Sequence, residues 1–139
     1  MLTITTVAKQ FFDACESGKG WDGCQAFCLP DASFSTQSER MGNVPTLRQY
    51  VDLCAGFLKV CPDASYVVKS FATDKSSKTV CVFAVISGTH TGEARGPILP
   101  TGRKTVTNYV YAMEFDGIKI KHMTKIWNPG WTMNELGWG

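Results

Sequence analysis

Hydrophobic and polar positions follow two different periods along this chain. Between residues 3 and 61, apolar residues recur every three or four positions, which is the period of helices that pack one face on a core. Between residues 65 and 128, they alternate with polar residues, which is the period of strands. Because helices come first and a meander of strands follows, the pattern predicts an α+β fold, with helices packed on one face of a curved, mainly antiparallel sheet.

Three helices are expected in the first part of the chain. The first is capped by Thr3 or Thr5, the second is short, and the third begins at a cap provided by Thr46. The apolar stripe of the third helix is typical of a helix that faces a core. The expected helices are 3–17, 21–28 and 46–61. A short strand at 31–35 and a polar loop at 38–45 are expected between the second helix and the third.

Four strands are expected in the second part. Asp116 and Gly117 separate the last two, and an Asp-Gly pair between strands favours a two-residue hairpin turn. If Phe115 lies opposite Ile118, then Tyr111 lies opposite His122, on the face that is expected to meet the helices. The expected strands are 65–74, 79–90, 104–115 and 118–128. The residues expected on the inner face of the hairpin are Phe115, Ile118, Ile120, Ile126, Tyr109, Tyr111, His122 and Asn128.

The opposite face of the hairpin is expected to be wet near the turn and apolar further away. Three lysines argue for water, and an apolar strip suggests that two copies of the chain pack sheet to sheet as a homodimer. The lysines are Lys119, Lys121 and Lys125, and the strip is formed by Val106, Val110, Met123 and Trp127.

Composition excludes several classes of protein. With 139 residues, 44% hydrophobic, the chain has the size of one domain with a core, here taken as residues 1–139. The formal net charge is +2 and the basic residues are scattered, so neither nucleic acid nor an anionic membrane is an expected partner. No apolar run is long enough to span a bilayer, and the first residues lack the features of a signal peptide. A cytoplasmic protein is therefore expected.

The six cysteines are expected to be free, buried thiols that act as small hydrophobic residues. They lack a zinc-binding spacing, and the chain has only two histidines to complete a metal site. We therefore expect no metal. The cysteines are Cys15, Cys24, Cys28, Cys54, Cys61 and Cys81.

Several segments resemble the SnoaL-like polyketide cyclases of the NTF2-like superfamily. The segments G-T-H-T-G-E (88–93) and L-P-T-G-R-K (99–104) lead into a strand, the Asp-Gly turn, and then K-I and W-N. The opening G-W-D-G-C-Q-A-F-C-L-P-D-A-S-F-S (20–35) and the closing N-E-L-G-W (134–138) are also similar, so the resemblance extends over essentially the whole chain.

The resemblance implies a cone: a strongly curved sheet wraps around three helices and encloses a pocket. It also implies a homodimer through the outer face of the sheet. Characterised members of the family close a polyketide ring by an intramolecular aldol reaction without a metal or cofactor, and use an acidic residue late in the last strand. In this chain the family pattern I-x-E-x-W-x-x-x-D becomes Ile120, His122, Thr124 and Asn128, so the acid is replaced by an amide.

Three candidate catalytic residues follow. His122 can act as a general base near neutral pH, or it can be a core histidine bonded to Tyr111. Tyr111, together with Tyr109, can stabilise an enolate oxygen or can simply pack. Asn128 can orient a carbonyl group or can begin the turn that follows it.

Further candidates concern ligand binding. His90 lies before a long loop and is expected either at the mouth of the pocket or in solvent, and Arg95 in that loop is expected to be a surface charge. The aromatic residues that would line the cone in this fold, or serve packing alone, are Trp21, Phe34, Tyr50 and Phe57.

Three functions remain open on the sequence. The chain can be a cofactor-independent cyclase, isomerase or hydrolase that acts on a small apolar carbonyl compound, with His122 as base. It can bind a small molecule without catalysis, because the family acid is missing. It can also be a dimerising protein whose cone is filled by its own side chains. The size of the pocket separates the third from the others.

Overall fold

The computed structural model describes residues 2–139, apart from the side chain of residue 40, and confirms the α+β class. Four α-helices pack on a five-stranded sheet. In chain order, the elements are α1 (Ile4–Glu16), α2 (Gly20–Cys24), β1 (Cys28–Thr36), α3 (Leu47–Val60), β2 (Ser65–Asp74), β3 (Thr79–Thr89), β4 (Lys104–Asp116), β5 (Lys119–Trp127) and α4 (Pro129–Leu136). None of the helices in this range is long and apolar enough to cross a membrane.

Caps define the two long helices at the positions expected from the sequence. The side chain of Thr3 accepts a hydrogen bond from the backbone N–H of Thr6, and that of Thr46 accepts one from the N–H of Gln49. In each case the side chain three residues on bonds back to the cap, which completes a capping box. The predicted starts of the first and third helices are therefore confirmed.

The sheet has the order β1-β5-β4-β3-β2. All neighbours are antiparallel except β1, which runs parallel to β5, so the sheet is mixed. The first strand begins at Cys28 and is longer than expected. The second helix is shorter than expected, Gly20–Cys24, and a 3-10 helix over Gln25–Phe27 separates it from the strand. The side of the sheet that faces α1 and α3 holds the core. We call this side the inner face and the opposite side the outer face.

The register of the β4–β5 hairpin differs from the predicted one in two ways. Gly117, with a φ of +60°, and Ile118 form the turn, so Asp116 pairs with Lys119, and Phe115 pairs with Ile120. This first shift leaves Ile120 on the inner face, but Ile118 lies in the turn and is 43% exposed. The second change is a β-bulge: Glu114 pairs with His122, so Lys121 is an extra residue on β5.

The bulge reverses the faces of β5 beyond residue 121, because side chains alternate and one extra residue changes their order. His122 and Ile126 were predicted to point inward and lie on the outer face instead. Met123, Lys125 and Trp127 were predicted on the outer face and lie on the inner one. The predicted outer apolar strip is therefore half wrong: Met123 and Trp127 on β5 face inward, whereas Val106 and Val110 on β4 do face outward.

The fourth helix was not predicted, and it changes the place of Asn128. Pro129 occupies the first turn of α4, and the side chain of Asn128 accepts a hydrogen bond from the backbone N–H of Trp131 at 3.1 Å. Gly137, with a φ of +77°, ends the helix in the left-handed conformation. Asn128 is thus a helix cap rather than the last inward residue of a strand.

Candidate functional site

A cavity of about 410 Å³ lies between the inner face of the sheet and the helices. Its wall is largely aromatic and aliphatic, and a small number of polar groups face into it. A mainly apolar cavity with few polar groups is the usual form of a small-molecule site. The aromatic residues in the wall are Tyr50, Phe57, Tyr109, Tyr111, Trp127 and Trp138. The charged or hydroxyl-bearing residues other than tyrosine are Glu16, Asp52, Arg95, Thr107, Lys125 and Thr132.

Glu16 provides a carboxylate in this wall. It is the last residue of α1 and only 8% of its surface is exposed. The hydroxyl of Tyr109 donates to Oε1, and the hydroxyl of Tyr111 donates to Oε2 at 2.9 Å. A buried carboxylate must be hydrogen-bonded to be tolerated, and the two tyrosines of β4 supply these bonds.

Tyr50 on α3 extends this arrangement. Its hydroxyl lies 2.5 Å from that of Tyr111, whose single proton is already given to Glu16. Tyr50 therefore donates, and the hydroxyl protons are ordered from Tyr50 to Tyr111 to Glu16. We call Glu16, Tyr50, Tyr109 and Tyr111 the inner cluster.

Burial raises the pKa of Glu16 above its ordinary value, and the hydrogen bond from Tyr109, the charge of Lys125 and the hydrogen bond from Tyr111 oppose that rise. Burial also raises the pKa of Tyr109 and of Tyr111, with the nearby Glu16 adding to both. The tyrosines are therefore hydroxyl donors at any physiological pH, while the carboxyl group is displaced toward the range in which it can both give and take a proton.

Lys125 is another ionisable residue in the wall of the cavity. It lies on β5 and reaches the inner face because of the bulge. Its Nζ is 3.7 Å from the centroid of the Trp127 ring, 5.3 Å from that of Tyr50 and 5.5 Å from that of Tyr109. Burial lowers the pKa of this amine, against the opposing charges of Cys54 and Glu16.

The predicted residues that do line the cavity are Tyr50, Phe57, Tyr109 and Tyr111. Phe34 and Trp21 are buried but are not part of the cavity wall. Phe34 stacks on Tyr50 with ring centroids 4.3 Å apart, and the backbone N–H of Trp21 donates to Asp52 at 3.0 Å. Both therefore act behind the wall, where packing rather than ligand contact determines their place.

His122 is excluded from the cavity by the bulge. Its Nδ1 lies 2.7 Å from the hydroxyl of Ser33, and its Nε2 lies 3.0 Å from that of Ser35 and 3.1 Å from that of Thr124. We call these four residues the outer cluster. The prediction that His122 pairs with Tyr111 inside the cone is wrong for this reason, because Lys125 takes that position on β5. The role as a base was predicted for that position, which His122 does not occupy. Asn128 caps α4 and does not line this cavity, so its predicted contact with a ligand there is not observed.

His90 is fully buried and does not line the cavity. Its Nδ1 accepts a hydrogen bond from Nε1 of Trp138 at 3.0 Å, so the imidazole is neutral and Nε2 donates to the carbonyl of Glu93 at 2.8 Å. His90 thus holds Trp138, which does form part of the wall. The guanidinium of Arg95 lies 4.4 Å from the Trp138 ring centroid and also lines the cavity, so the prediction of a surface charge is corrected.

The sequence did contain a signal for Glu16. It lies four residues after Phe12 and so continues the buried stripe of α1, where a charged residue is unusual. Lys125 carried no such signal, because its inward direction depends on the bulge at Lys121. The position of Glu16 is therefore readable from helical periodicity, and that of Lys125 is not.

One group of potential metal donors occurs within the described residues. The donor atoms of Cys15, Glu16 and Cys54 lie within 4.8 Å of one another. Both carboxylate oxygens of Glu16 already accept hydrogen bonds from tyrosines. The thiol of Cys15 is hydrogen-bonded to the free thiols of Cys24 and Cys54, and these contacts, with burial, raise its pKa well above the ordinary value. A neutral thiol is a poor metal ligand, so we assign these cysteines to packing.

Comparison with known proteins gives one family and one fold. The sequence profile of the SnoaL-like polyketide cyclases matches residues 6–135. No curated protein matches the sequence.

Among solved structures, IdmH, a proposed polyketide cyclase from Streptomyces antibioticus, is 19% identical with a TM-score of 0.78, over 98% of this chain and 99% of that one. AclR, a proposed hydroxylase from Streptomyces galilaeus, is 22% identical with a TM-score of 0.76, over 98% and 85%. A protein with a ketosteroid isomerase-like fold from Catenulispora acidiphila is 10% identical with a TM-score of 0.69, over 96% and 93%. Other similar structures are described as NTF2-like and cystatin-like, and at these identities the likeness establishes the fold alone.

Proposed function

The chain belongs to the SnoaL-like polyketide cyclase family, and we propose that it is a cofactor-independent enzyme that transfers a proton on an apolar carbonyl compound, with Glu16 as the catalytic acid and base. The observation that carries this proposal is the buried carboxylate of Glu16 in the wall of an apolar cavity. Cyclisation by aldol addition and isomerisation of a ketone both begin with removal of a proton next to a carbonyl group, so both fall within this class.

The environment of Glu16 suits this step. A base works best when its pKa lies near the operating pH, and burial moves the pKa of Glu16 upward from the ordinary carboxyl range. The hydroxyls of Tyr109 and Tyr111 hold the carboxylate in one orientation. The same group that takes the α-proton can return it to the product, so no external acid is required.

The cavity also provides groups for the oxygen of the carbonyl compound. An enolate oxygen needs a hydrogen-bond donor or a positive charge to be stabilised. Lys125 and the hydroxyls of Thr107 and Thr132 face the same cavity as Glu16. With a volume of about 410 Å³ and a wall made mainly of aromatic rings, the cavity favours a substrate of one to three fused rings or the folded chain that gives rise to them.

Hydrogen exchange on a model ketone tests the role of Glu16. In deuterated buffer, the protein should accelerate exchange of the α-hydrogens of 2-tetralone, followed by proton NMR. Glu16→Gln keeps the size and the hydrogen-bonding shape of the side chain but cannot take the proton, so the accelerated rate should fall by about 100-fold or more.

The matched control is His122→Gln, which changes the residue that the sequence favoured. Because His122 lies on the outer face, its replacement should leave the exchange rate within about twofold of wild type. Equal rates for Glu16→Gln and wild type would contradict the proposal, and a loss confined to His122→Gln would transfer the role to the outer cluster.

Binding without catalysis is the second candidate, and one observation favours it. Both oxygens of Glu16 are engaged by tyrosine hydroxyls, which is also how a purely structural carboxylate is satisfied. Trp127 and Trp138 line the cavity, so 2-tetralone that binds there should change the tryptophan fluorescence. A fluorescence change without any acceleration of exchange would support this second function.

We also propose that the protein acts as a homodimer through the outer face of the sheet. Ile126 on β5 and Phe83 on β3 both pair with Val110 of β4, so the three form a row across that face. Ile126 is 59% exposed and Phe83 is 39% exposed. An apolar row of this kind favours contact with a second copy. Sedimentation equilibrium should give a dimer for wild type and a monomer for Phe83→Asp, and a wild-type monomer at high concentration would refute the dimer.

We propose the cytoplasm as the site of action. All six cysteines are free, which suits a reducing compartment because thiols there remain unpaired. Fractionation of the source cells with an antibody against the protein would test this location, and recovery from the medium or from an extracytoplasmic compartment would contradict it.

A further inference from the structure

Lys125 has an unusual place for a lysine. Its side chain enters the apolar cavity, and its Nζ is close to three aromatic rings, with that of Trp127 nearest at 3.7 Å. Within the part of the chain that the structure describes, this amine has no hydrogen-bond or ion-pair partner. Lys125 lines the cavity, which is where a substrate would lie.

An amine in this environment has two possible uses. Charged, it attracts an anionic group of a ligand. Uncharged, it is a nucleophile, and removal from water is the usual way in which proteins make a lysine nucleophilic. Burial favours the second use, since it lowers the pKa of Lys125 and increases the uncharged fraction at neutral pH.

We propose that Lys125 attacks the carbonyl carbon of a ketone or aldehyde in the cavity and forms an imine with it. This inference rests on the proposed function and deepens it, because it makes the enzyme covalent and gives Lys125 a catalytic role beside Glu16. It also restricts the substrate to compounds with an accessible ketone or aldehyde group, and excludes esters and acids as the group attacked.

The covalent step balances without any further reagent. The nitrogen lone pair of Lys125 forms a bond to the carbonyl carbon, and the carbonyl π electrons move to oxygen, which takes up a proton. The nitrogen loses a proton, giving a neutral carbinolamine. Protonation of the hydroxyl and loss of water then leave a protonated imine. One water is released on formation and one is consumed when the imine is hydrolysed.

The inner cluster supplies the proton transfers that these steps need. Glu16 faces the same cavity as Lys125, and its charge acts on the pKa of the amine, as that of the amine acts on the pKa of Glu16. With the imine formed, the positive nitrogen attracts electrons from the α-carbon, so the α-proton becomes more acidic and Glu16 can remove it. The resulting enamine carbon can attack a second carbonyl in the same molecule, which closes a ring by carbon–carbon bond formation.

Reductive trapping tests the imine directly. The protein is incubated at pH 6.5 with 2-naphthaldehyde and sodium cyanoborohydride, which reduces a protonated imine to a stable secondary amine. Peptide mass spectrometry then locates the naphthylmethyl group. We expect modification of Lys125 at least 10-fold faster than that of the exposed lysines, because a solvated lysine is almost entirely protonated at this pH.

Two lysine variants provide the comparison. Lys125→Met keeps a long unbranched side chain and should abolish the fast modification, with circular dichroism as the check on folding. Lys121→Met removes the exposed lysine of the bulge, four residues away on the same strand, and should leave the fast modification intact. Modification spread evenly over the lysines, or absent from Lys125 in a folded protein, would overturn the proposal.

The trapping result is separable from the exchange of α-hydrogens. If Lys125 is modified rapidly but Glu16→Gln exchanges 2-tetralone as fast as wild type, the imine stands and the role of Glu16 fails. If exchange depends on Glu16 but Lys125 is modified no faster than Lys121, proton transfer stands and the imine is overturned. In that outcome, competition by 2-naphthoate for the binding of 2-tetralone would identify Lys125 as an anion-binding group instead.

Discussion

The same sheet carries two polar clusters, one on each face, and they differ in surroundings rather than in chemical capacity. The outer cluster contains a histidine held between Ser33 and Ser35, with distances of 2.7 and 3.0 Å. The inner cluster contains a carboxylate held by Tyr109 and Tyr111. Judged by residue type alone, the histidine is the better base at neutral pH.

Their surroundings reverse this order. Ser33 and Ser35 are exposed, so water competes for the bonds that they make in the outer cluster. Glu16 is buried beside a cavity of about 410 Å³, where its pKa rises and its proton acceptor is fixed. On the function that we propose, enclosure, more than intrinsic acidity, determines which ionisable group of this fold does chemistry on an apolar molecule.

The two faces should differ most in their contribution to stability. Phe12 is fully buried and its ring lies 5.4–6.2 Å from the rings of Tyr66, Phe71, Tyr109 and Tyr111. Phe12→Ala should reduce the free energy of unfolding by about 3–5 kcal/mol in urea denaturation, because it removes a packed ring and leaves a void.

Ile126→Ala is the control on the outer face. At a concentration where the protein is monomeric, it should change the free energy of unfolding by less than about 0.5 kcal/mol, because Ile126 is 59% exposed. A loss that grows with protein concentration would support the dimer, and a large loss in the monomer would show that the outer face is not exposed as described.

Loss of single hydrogen bonds should also cost more stability in the inner cluster than in the outer cluster, by a smaller amount than the loss of a packed ring. Tyr111→Phe removes the donor to Glu16 and the acceptor for Tyr50, so it should cost about 1–3 kcal/mol in urea denaturation. Ser35→Ala also removes two contacts, to His122 and Thr124, but water can replace them, so a change below about 0.5 kcal/mol is expected. Similar costs would mean that the two clusters are equally desolvated.

The pH dependence of stability isolates the inner carboxyl group. Because burial raises the pKa of Glu16 in the folded protein, the folded state binds more protons than the unfolded state between the ordinary carboxyl pKa and the raised one. Stability from this group is therefore present at lower pH and is lost as the pH rises through that window. The loss amounts to about 1.4 kcal/mol for each pH unit that separates the folded-state pKa from the unfolded-state pKa.

In wild type, urea midpoints measured at several pH values should show a slope, with stability falling as the pH rises. In Glu16→Gln this slope should disappear. Subtracting the two profiles removes the contributions of Asp63, Asp74 and Glu135, whose pKa values hydrogen bonds lower, so that they act in the opposite direction. His122→Gln should retain the slope assigned to Glu16. A difference profile that is flat, or that rises with pH, would contradict the raised pKa.

Asn128 belongs to neither cluster, and its replacement should affect stability only modestly and exchange not at all. Asn128→Ala removes the side-chain cap of α4 and should cost about 1 kcal/mol in thermal or urea unfolding. Exchange of 2-tetralone should be unchanged in the folded variant, and Asn128→Asp, which restores an acid at this position and still caps a helix, should not increase it. An increase would return catalytic importance to this position.

The elements with strong periodicity could be predicted from the sequence. The cap at Thr46 and strand β2 were placed as the structure has them, because helix capping and strand alternation are local properties. Strand β1 and helix α4 were not, since their limits depend on packing against β5 and β4. The fold class followed from the order of the elements and needed none of these details.

The site was predictable as a place but not as a set of reacting groups. Tyr109 and Tyr111 were expected inside because they alternate with outward residues on β4, and β4 has no bulge in that stretch. His122 and Lys125 were predicted on the wrong faces of the sheet because the bulge was not predicted. The position of a bulge depends on how two strands fit each other and the core, and the residue pattern of β5 does not indicate it. Glu16 was not predicted either, although helical periodicity alone places it on the buried face of α1.

The bulge also has a consequence for comparing sequences. Lys121 is an extra, exposed residue, and without it Ile120, His122 and Met123 would continue the ladder opposite Phe115, Glu114 and Met113 in regular order. Relative to a strand without a bulge, it therefore counts as a one-residue insertion inside a regular element, where alignments seldom place gaps. Against a relative whose strand lacks the bulge, an alignment that opens no gap at Lys121 will match every later residue of this strand to a residue on the opposite side of the sheet.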